Sequence, residues 1–213
     1  MSKSAIRVVL VDDHAMVRNG VRLMLASAGD IDVVGEAGNA QEALALFKQI
    51  EADVALIDIT MPGKNGLDLL KQLRADYPKL AVLVLSTYSE EIYAVRALKL
   101  GAAGYLTKDS PTDVLVTAVR KAAGGGRYVT EVIADKLADL VGGGKGASHD
   151  SLSNRELEVL KQIARGETLV KIAETLHLSP NTVTTYRARI MEKMDLHSNA
   201  ELTRYVLEHG LLS

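Results

Sequence analysis

The sequence predicts an α/β protein: a doubly wound, parallel five-stranded sheet followed by a small all-α domain. Three observations carry this. Short apolar, β-branched runs alternate with amphipathic segments over the first ~125 residues, the pattern of parallel strands joined by crossover helices. A glycine-rich stretch, residues 142–150, then interrupts the pattern. Beyond Ser151 only helical periodicity remains.

Residues 6–12 read as the first strand, and 17–28 as a helix with Val17, Val21, Met24 and Leu25 on one face. Residues 31–35 form the second strand, and 40–50 a helix capped by Asn39. The third strand spans 53–58, with a loop through Met61-Pro62-Gly63-Lys64-Asn65-Gly66 and a helix to Leu73. Strand four is 80–85, helix four 91–100 and strand five 104–107. A fifth helix, 111–123, starts on Pro111, and a sixth covers 130–141.

The chain therefore divides into a first domain over 5–124, a linker helix and glycine-rich linker over 125–150, and a second domain over 151–213. In the second, Ser153-Asn154-Arg155-Glu156 is a capping box that opens a helix with Leu157, Leu160 and Ile163 inward. A short helix over 168–176, a tight connection at His177-Leu178-Ser179 and a longer helix to Met194 have helix-turn-helix proportions. Ser198 caps a fourth helix carrying Leu202, Val206 and Leu207, which suit the core.

Composition excludes several classes. Cysteine is absent, which rules out disulfides and thiolate metal sites. No signal-peptide pattern or membrane-spanning run is present, so a cytoplasmic protein without membrane association is expected. The net charge of −2 says nothing about partners.

Chemistry gathers at strand ends. Asp12 and Asp13 follow the first strand, Asp58 the third, Ser86 the fourth and Lys108 the fifth. In doubly wound sheets ligands bind at the carboxyl ends of the strands. Clustered carboxylates there repel one another unless a hard divalent cation neutralises them, and Mg²⁺ typically shares such acids with a phosphate. A hydroxyl and a cation beside them complete the needs of phosphoryl transfer to an aspartate. His14 reads as an ordinary helix-start residue rather than a ligand.

The motifs Val11-Asp12-Asp13-His14, Asp58-Ile59-Thr60-Met61-Pro62, Ser86-Thr87 and Gly104-Tyr105-Leu106-Thr107-Lys108 resemble those of a receiver domain. Leu152-Ser153-Asn154-Arg155-Glu156-Leu157, Ile172-Ala173-Glu174-Thr175-Leu176 and Ser179-Pro180-Asn181-Thr182-Val183 resemble a LuxR-type DNA-binding domain. Together they look like a two-component response regulator of the NarL/FixJ group. The resemblance implies Asp58 as phosphoacceptor, with Asp12, Asp13, Asp58 and the backbone carbonyl of Thr60 holding Mg²⁺. It implies Ser86 as the hydroxyl on the phosphoryl group, Lys108 as its cation, and Tyr105 as the aromatic that swings inward when Ser86 moves. A sensor histidine kinase, double-stranded DNA and a second copy of the chain after phosphorylation are the implied partners. The resemblance also implies a dimer surface on the helix of Leu202, Val206 and Leu207, as the alternative to a core role. One departure is Asp109, rather than proline, after Lys108.

Laid on a 3.6-residue period, Val183, Tyr186, Ile190 and Met194 face the core of the third helix of the second domain. Asn181, Thr184, Thr185 and Ala188 then point outward between Arg187 and Arg189. That face suits a major groove with arginines on phosphates, and with the family pattern Thr182 and Lys171 join the DNA-contacting set. The expected function is a phosphorylation-controlled transcription factor, not an enzyme. Three other readings are a metal-dependent phosphohydrolase, a ligand-sensing activator and a receiver that is never phosphorylated. The first lacks an Asp-x-Asp motif after strand one, the second an aromatic-lined pocket, and the third conflicts with the complete acid, hydroxyl and lysine set.

Overall fold

The computed structural model describes residues 5–61, 65–88, 90–141 and 148–212. They form two compact units, divided between residues 138 and 139. In the first, β1 (Ile6–Val11), β2 (Ile31–Ala37), β3 (Val54–Ile57), β4 (Ala81–Ser86) and β5 (Gly104–Thr107) make one parallel sheet in the order β2-β1-β3-β4-β5. The central strands are buried on both faces, which is why they read as continuous apolar runs. Edge strand β2 instead exposes Asp32 and Glu36.

The helices between them are α1 (Ala15–Ala26), α2 (Ala40–Leu46), α3 (Gly66–Asp76), α4 (Glu90–Lys99) and α5 (Thr112–Ala123). Val21 and Leu25 of α1 and Leu115 and Val119 of α5 pack with Val8, Leu10 and Leu56 on one side of the sheet. Helix α2 ends at Leu46, short of the predicted Ile50; Phe47 keeps helical backbone and packs inward against Tyr77, with ring centroids 5.8 Å apart. Strand β2 runs two residues further than predicted, since β1 supplies partners as far as Ala37. Pro111 stands just ahead of α5, as its cap, rather than inside the first turn.

After α5 the chain returns to β5. Tyr128 donates its N–H to the Ala103 carbonyl and bridges Gly104, where any Cβ would collide with the Tyr128 backbone. Thr130 then hydrogen-bonds Glu90 at the start of α4, and Ile133 of α6 (Glu131–Val141) is buried.

The second unit begins with a 3-10 turn, Ser148–Ser151, followed by α7 (Asn154–Ala164), α8 (Leu169–Leu176), α9 (Pro180–Met194) and α10 (Asn199–Glu208). Residues 142–147 of the predicted linker, and Pro62-Gly63-Lys64 of the loop after β3, lie outside the described residues. His149 and Asp150, which composition assigns to the linker, are ordered in the turn. There His149 Nδ1 lies 2.9 Å from the Tyr205 hydroxyl, and Tyr205 stacks on His209. The predicted capping box is formed: Ser153 accepts from the Glu156 N–H, and Glu156 accepts from the Ser153 N–H. Burial works against the Glu156 charge, but Lys193 at 2.7 Å and the Ser153 bonds hold its carboxyl below the usual range. Leu157, Leu160, Ile172, Val183, Ile190, Leu202 and Val206 form the core. Among the described residues no helix is long and apolar enough to cross a membrane.

Candidate functional site

The strand order reverses between β1 and β3, and a crevice opens at such a reversal. Val11 and Ile57 are register partners, and the Asp58 N–H donates to the Val11 carbonyl at 2.8 Å. Asp12 and Asp58 therefore leave the sheet side by side. Both are buried, while Asp13 is exposed beside them. Gly66, the first residue of α3, donates to the Ile59 carbonyl and lies against the Asp58 backbone. Asn65 caps α3 through the Leu67 N–H, which holds the loop after Asp58 in place.

Lys108 closes the crevice from the end of β5. Its ammonium lies 2.6 Å from Asp12 Oδ2 and 2.9 Å from Asp58 Oδ2. Burial opposes that charge, yet the hydrogen bonds and charges of Asp12 and Asp58 outweigh it and hold Lys108 above its ordinary range. Burial pushes the Asp58 carboxyl up from the usual carboxylate range, with Asp12 adding to the effect. Lys108 and a backbone hydrogen bond from Thr60 pull the other way. Negative charge is thus confined in a site with one close ammonium. One atom each from Asp12, Asp13, His14 and Asp58 lies within 4.8 Å of the others. Thr60 itself is exposed at the rim.

Ser86, the last residue of β4, is completely buried, and its hydroxyl accepts from the Tyr88 N–H at 3.3 Å. Tyr105 is turned inward and fully buried, donating its hydroxyl to the Tyr88 carbonyl at 2.8 Å. Burial drives that phenol well above its ordinary pKa. The sequence-predicted acids, hydroxyl, lysine and tyrosine are therefore brought to one end of one sheet. His14 is the N-cap of α1, as its helix-start reading expects, and its exposed ring lies beside the acids, with Nδ1 2.9 Å from Asp13 Oδ1 and 3.3 Å from Asp12 Oδ1.

In the second unit, α8 and α9 are joined through His177, which takes a left-handed φ of 52°. Ser179 caps α9 through the Thr182 N–H, and Pro180 occupies its first turn. Val183, Ile190 and Met194 are buried and Tyr186 half-buried, whereas Asn181, Thr184, Thr185, Ala188 and Arg189 are exposed, as the period predicts. Thr182 is partly covered by its bond to Ser179. The Thr184 and Thr185 hydroxyls donate to the Pro180 and Asn181 carbonyls, each at 3.0 Å. Arg187 is half-buried and donates to Asn199 at 2.7 Å, so part of its fork serves α10. Lys171 is exposed on α8 beside Glu174. On α10, Leu202 and Val206 are core, and Leu207 alone of the three is exposed.

Comparison with known proteins agrees with this arrangement. Residues 8–120 match the response regulator receiver domain, and residues 150–206 match the bacterial regulatory proteins of the luxR family. The response regulator GacA of Pseudomonas aeruginosa is 37% identical over 209 residues, covering 97% of this chain and 98% of that protein. The response regulator UvrY of Escherichia coli is 35% identical over 208 residues, covering 97% and 95%. RcsB of Salmonella enterica serovar Typhimurium, solved on the rprA promoter with the phosphomimetic BeF3⁻, superposes with a TM-score of 0.68 at 27% identity. That match covers 95% of this chain and 98% of RcsB. The first two are response regulators by name, and RcsB was solved bound to promoter DNA. With both halves matched in order and almost end to end, the chain belongs to the response regulators that pair a receiver with a LuxR-type DNA-binding domain.

Proposed function

We propose that the regulator accepts a phosphoryl group on Asp58 from a sensor histidine kinase, and that this change controls binding of α9 to double-stranded promoter DNA. The observation that carries the reading is the Lys108 ammonium held between Asp12 and Asp58 at the reversal of the sheet. An Asp58 oxygen attacks the phosphorus of a phosphohistidine. The phosphorus–nitrogen bond breaks, the imidazole keeps the electron pair, and an acyl phosphate remains. Lys108 transfers its hydrogen bonds to the phosphoryl oxygens as charge gathers there. The oxygen-rich donor set suits a hard cation, and Asp12, Asp13, Asp58 and the Thr60 carbonyl would hold Mg²⁺. When bound, Mg²⁺ neutralises charge on the transferring oxygens.

Ser86 then turns its hydroxyl toward a phosphoryl oxygen. That move weakens its bond to the Tyr88 N–H, and Tyr88 holds the Tyr105 hydroxyl through its carbonyl. Tyr105 is thus the residue through which an event at Ser86 reaches the α4 side of the receiver. In the second unit, Asn181, Thr184, Thr185 and Ala188 face the major groove, while Arg189, Lys171 and the remainder of the Arg187 fork meet phosphates. A second copy docks through Leu207 and the edge of Tyr205 on α10, giving paired half-sites. The regulator works in the cytoplasm, where both its kinase domain and its DNA are reached.

The test is intact mass after incubation of the full chain with acetyl phosphate and Mg²⁺. One phosphoryl group should be gained, Asp58→Asn should gain none, and the phosphorylated form should bind an inverted-repeat promoter more tightly. Undiminished labelling of Asp58→Asn overturns the assignment.

A further inference from the structure

We infer that the first unit binds a small organic phosphate of the nucleotide class at the end of its sheet opposite Asp58. Every strand of the parallel sheet begins at that end. Two cavities lie there, of about 280 and 660 Å³, and share Pro78, Lys79, Leu80 and Ala123 in their walls. Small-molecule sites are concavities of this order of size, apolar in the main with a few placed polar groups.

Charge singles out the smaller cavity. Arg74, Lys79 and Arg127 line it, and no carboxylate stands among its described lining residues. The Arg74 guanidinium is braced by backbone alone, donating to the Pro78 and Leu80 carbonyls at 2.9 and 2.6 Å. Lys79 and Arg127 are exposed, and among the described residues no acid pairs with either. Arg7, in the wall of the larger cavity, is the contrast: Asp53 and Glu51 already meet its charge. Helix ends offset part of the positive charge, since α3, α4 and α5 all finish beside the smaller cavity. Each end carries only about half a negative charge, so the cations keep a surplus. An anion with more than one negative oxygen answers it.

The larger cavity accommodates a flat apolar body. The Phe47 and Tyr77 rings, tilted and 5.8 Å apart, stand with Ile50 and Leu80 in its wall. Phe47 follows α2 and Tyr77 follows α3, so no local pattern announces the pair. A base stacked there leaves its phosphate toward Lys79, which belongs to both walls.

The test titrates adenosine monophosphate, adenosine and inorganic phosphate into the isotopically labelled full chain and follows amide shifts. EDTA throughout keeps divalent ions from the acid pocket. Adenosine monophosphate should shift Gly101, Gly125, Gly126 and Arg127, and bind at least about tenfold more tightly than adenosine or phosphate. Lys79→Ala with Arg127→Ala, a change to two exposed side chains, should weaken it by about tenfold or more and leave adenosine unaffected. Tyr77→Ala should weaken it by about fivefold or more. Shifts that are absent, that centre on Asp58 or α9, or that persist undiminished in the double variant overturn the site. Inorganic phosphate binding as tightly as the nucleotide overturns the nucleotide class.

Discussion

Gly66 lies so close to Asp58 that a Cβ on it would fall well inside contact distance of the Asp58 carbonyl oxygen. The first turn of α3 and the end of β3 touch backbone to backbone there. Gly66→Ala should force the two apart, cost about 1–3 kcal/mol in urea denaturation and slow labelling of Asp58. Unchanged stability would mean that the loop yields without disturbing the strand end.

Asp58 also makes stability depend on pH. Its folded pKa is raised above the ordinary 3.8, so the protonated form is favoured by folding. The associated stability is fully present below the unfolded value and is lost as pH rises through the folded one. Asp58→Asn in EDTA should therefore unfold at a higher temperature than wild type near pH 7, with a gain that shrinks toward about pH 4. A gain that grows on acidification would contradict this sign.

The hydroxyls of Thr184 and Thr185 are spent on the carbonyls one turn back, so neither donates to a base while those bonds hold. The hydroxyl oxygens still accept from a base amino group, while the methyls can meet the thymine methyl; readout through the methyls is the reading that the Val and Ser variants decide. Thr184→Val or Thr185→Val should keep site preference within about threefold, whereas either Thr→Ser change should relax it by ~1 kcal/mol or more at one base pair. Binding titrations against single-base variants of a bound site read this directly.

The two arginines of α9 should part company. Arg189→Ala should weaken binding to all sequences alike and lower the salt dependence by about one phosphate equivalent. Arg187→Ala should in addition lower the melting temperature of the second unit, because its bond to Asn199 ties α9 to the start of α10.

The sheet and the acid pocket were legible because their signals are local. Val54-Ala55-Leu56-Ile57 is a short apolar, β-branched run, too short for a helix of its own, and it is buried as a central strand. Asp58 follows directly, and strand order alone brings it to Asp12. What local sequence leaves open or hides depends on tertiary contact. Leu202, Val206 and Leu207 share a helix and a hydropathy, and only the packing of α7 against α10 divides core from surface. His149 sits in polar, glycine-flanked sequence, yet Tyr205, far along the chain, draws it into order. Phe47 packs on Tyr77, a partner that no short window contains.

The His149 contact has a mechanical side. The N–H and the ring of His149 both meet the Tyr205 hydroxyl, at 3.3 and 2.9 Å, just where the chain enters the second unit. A pull along the backbone ahead of Ser148 is thus borne first by α10 and only afterwards by the capped start of α7. Under tension from the linker the clasp would load Tyr205 and its stacked neighbour His209 before the helices proposed to face the groove. A fragment cut after Asp150 would lack that anchorage, and amides along α10 should exchange faster in it than in one that begins ahead of Ser148.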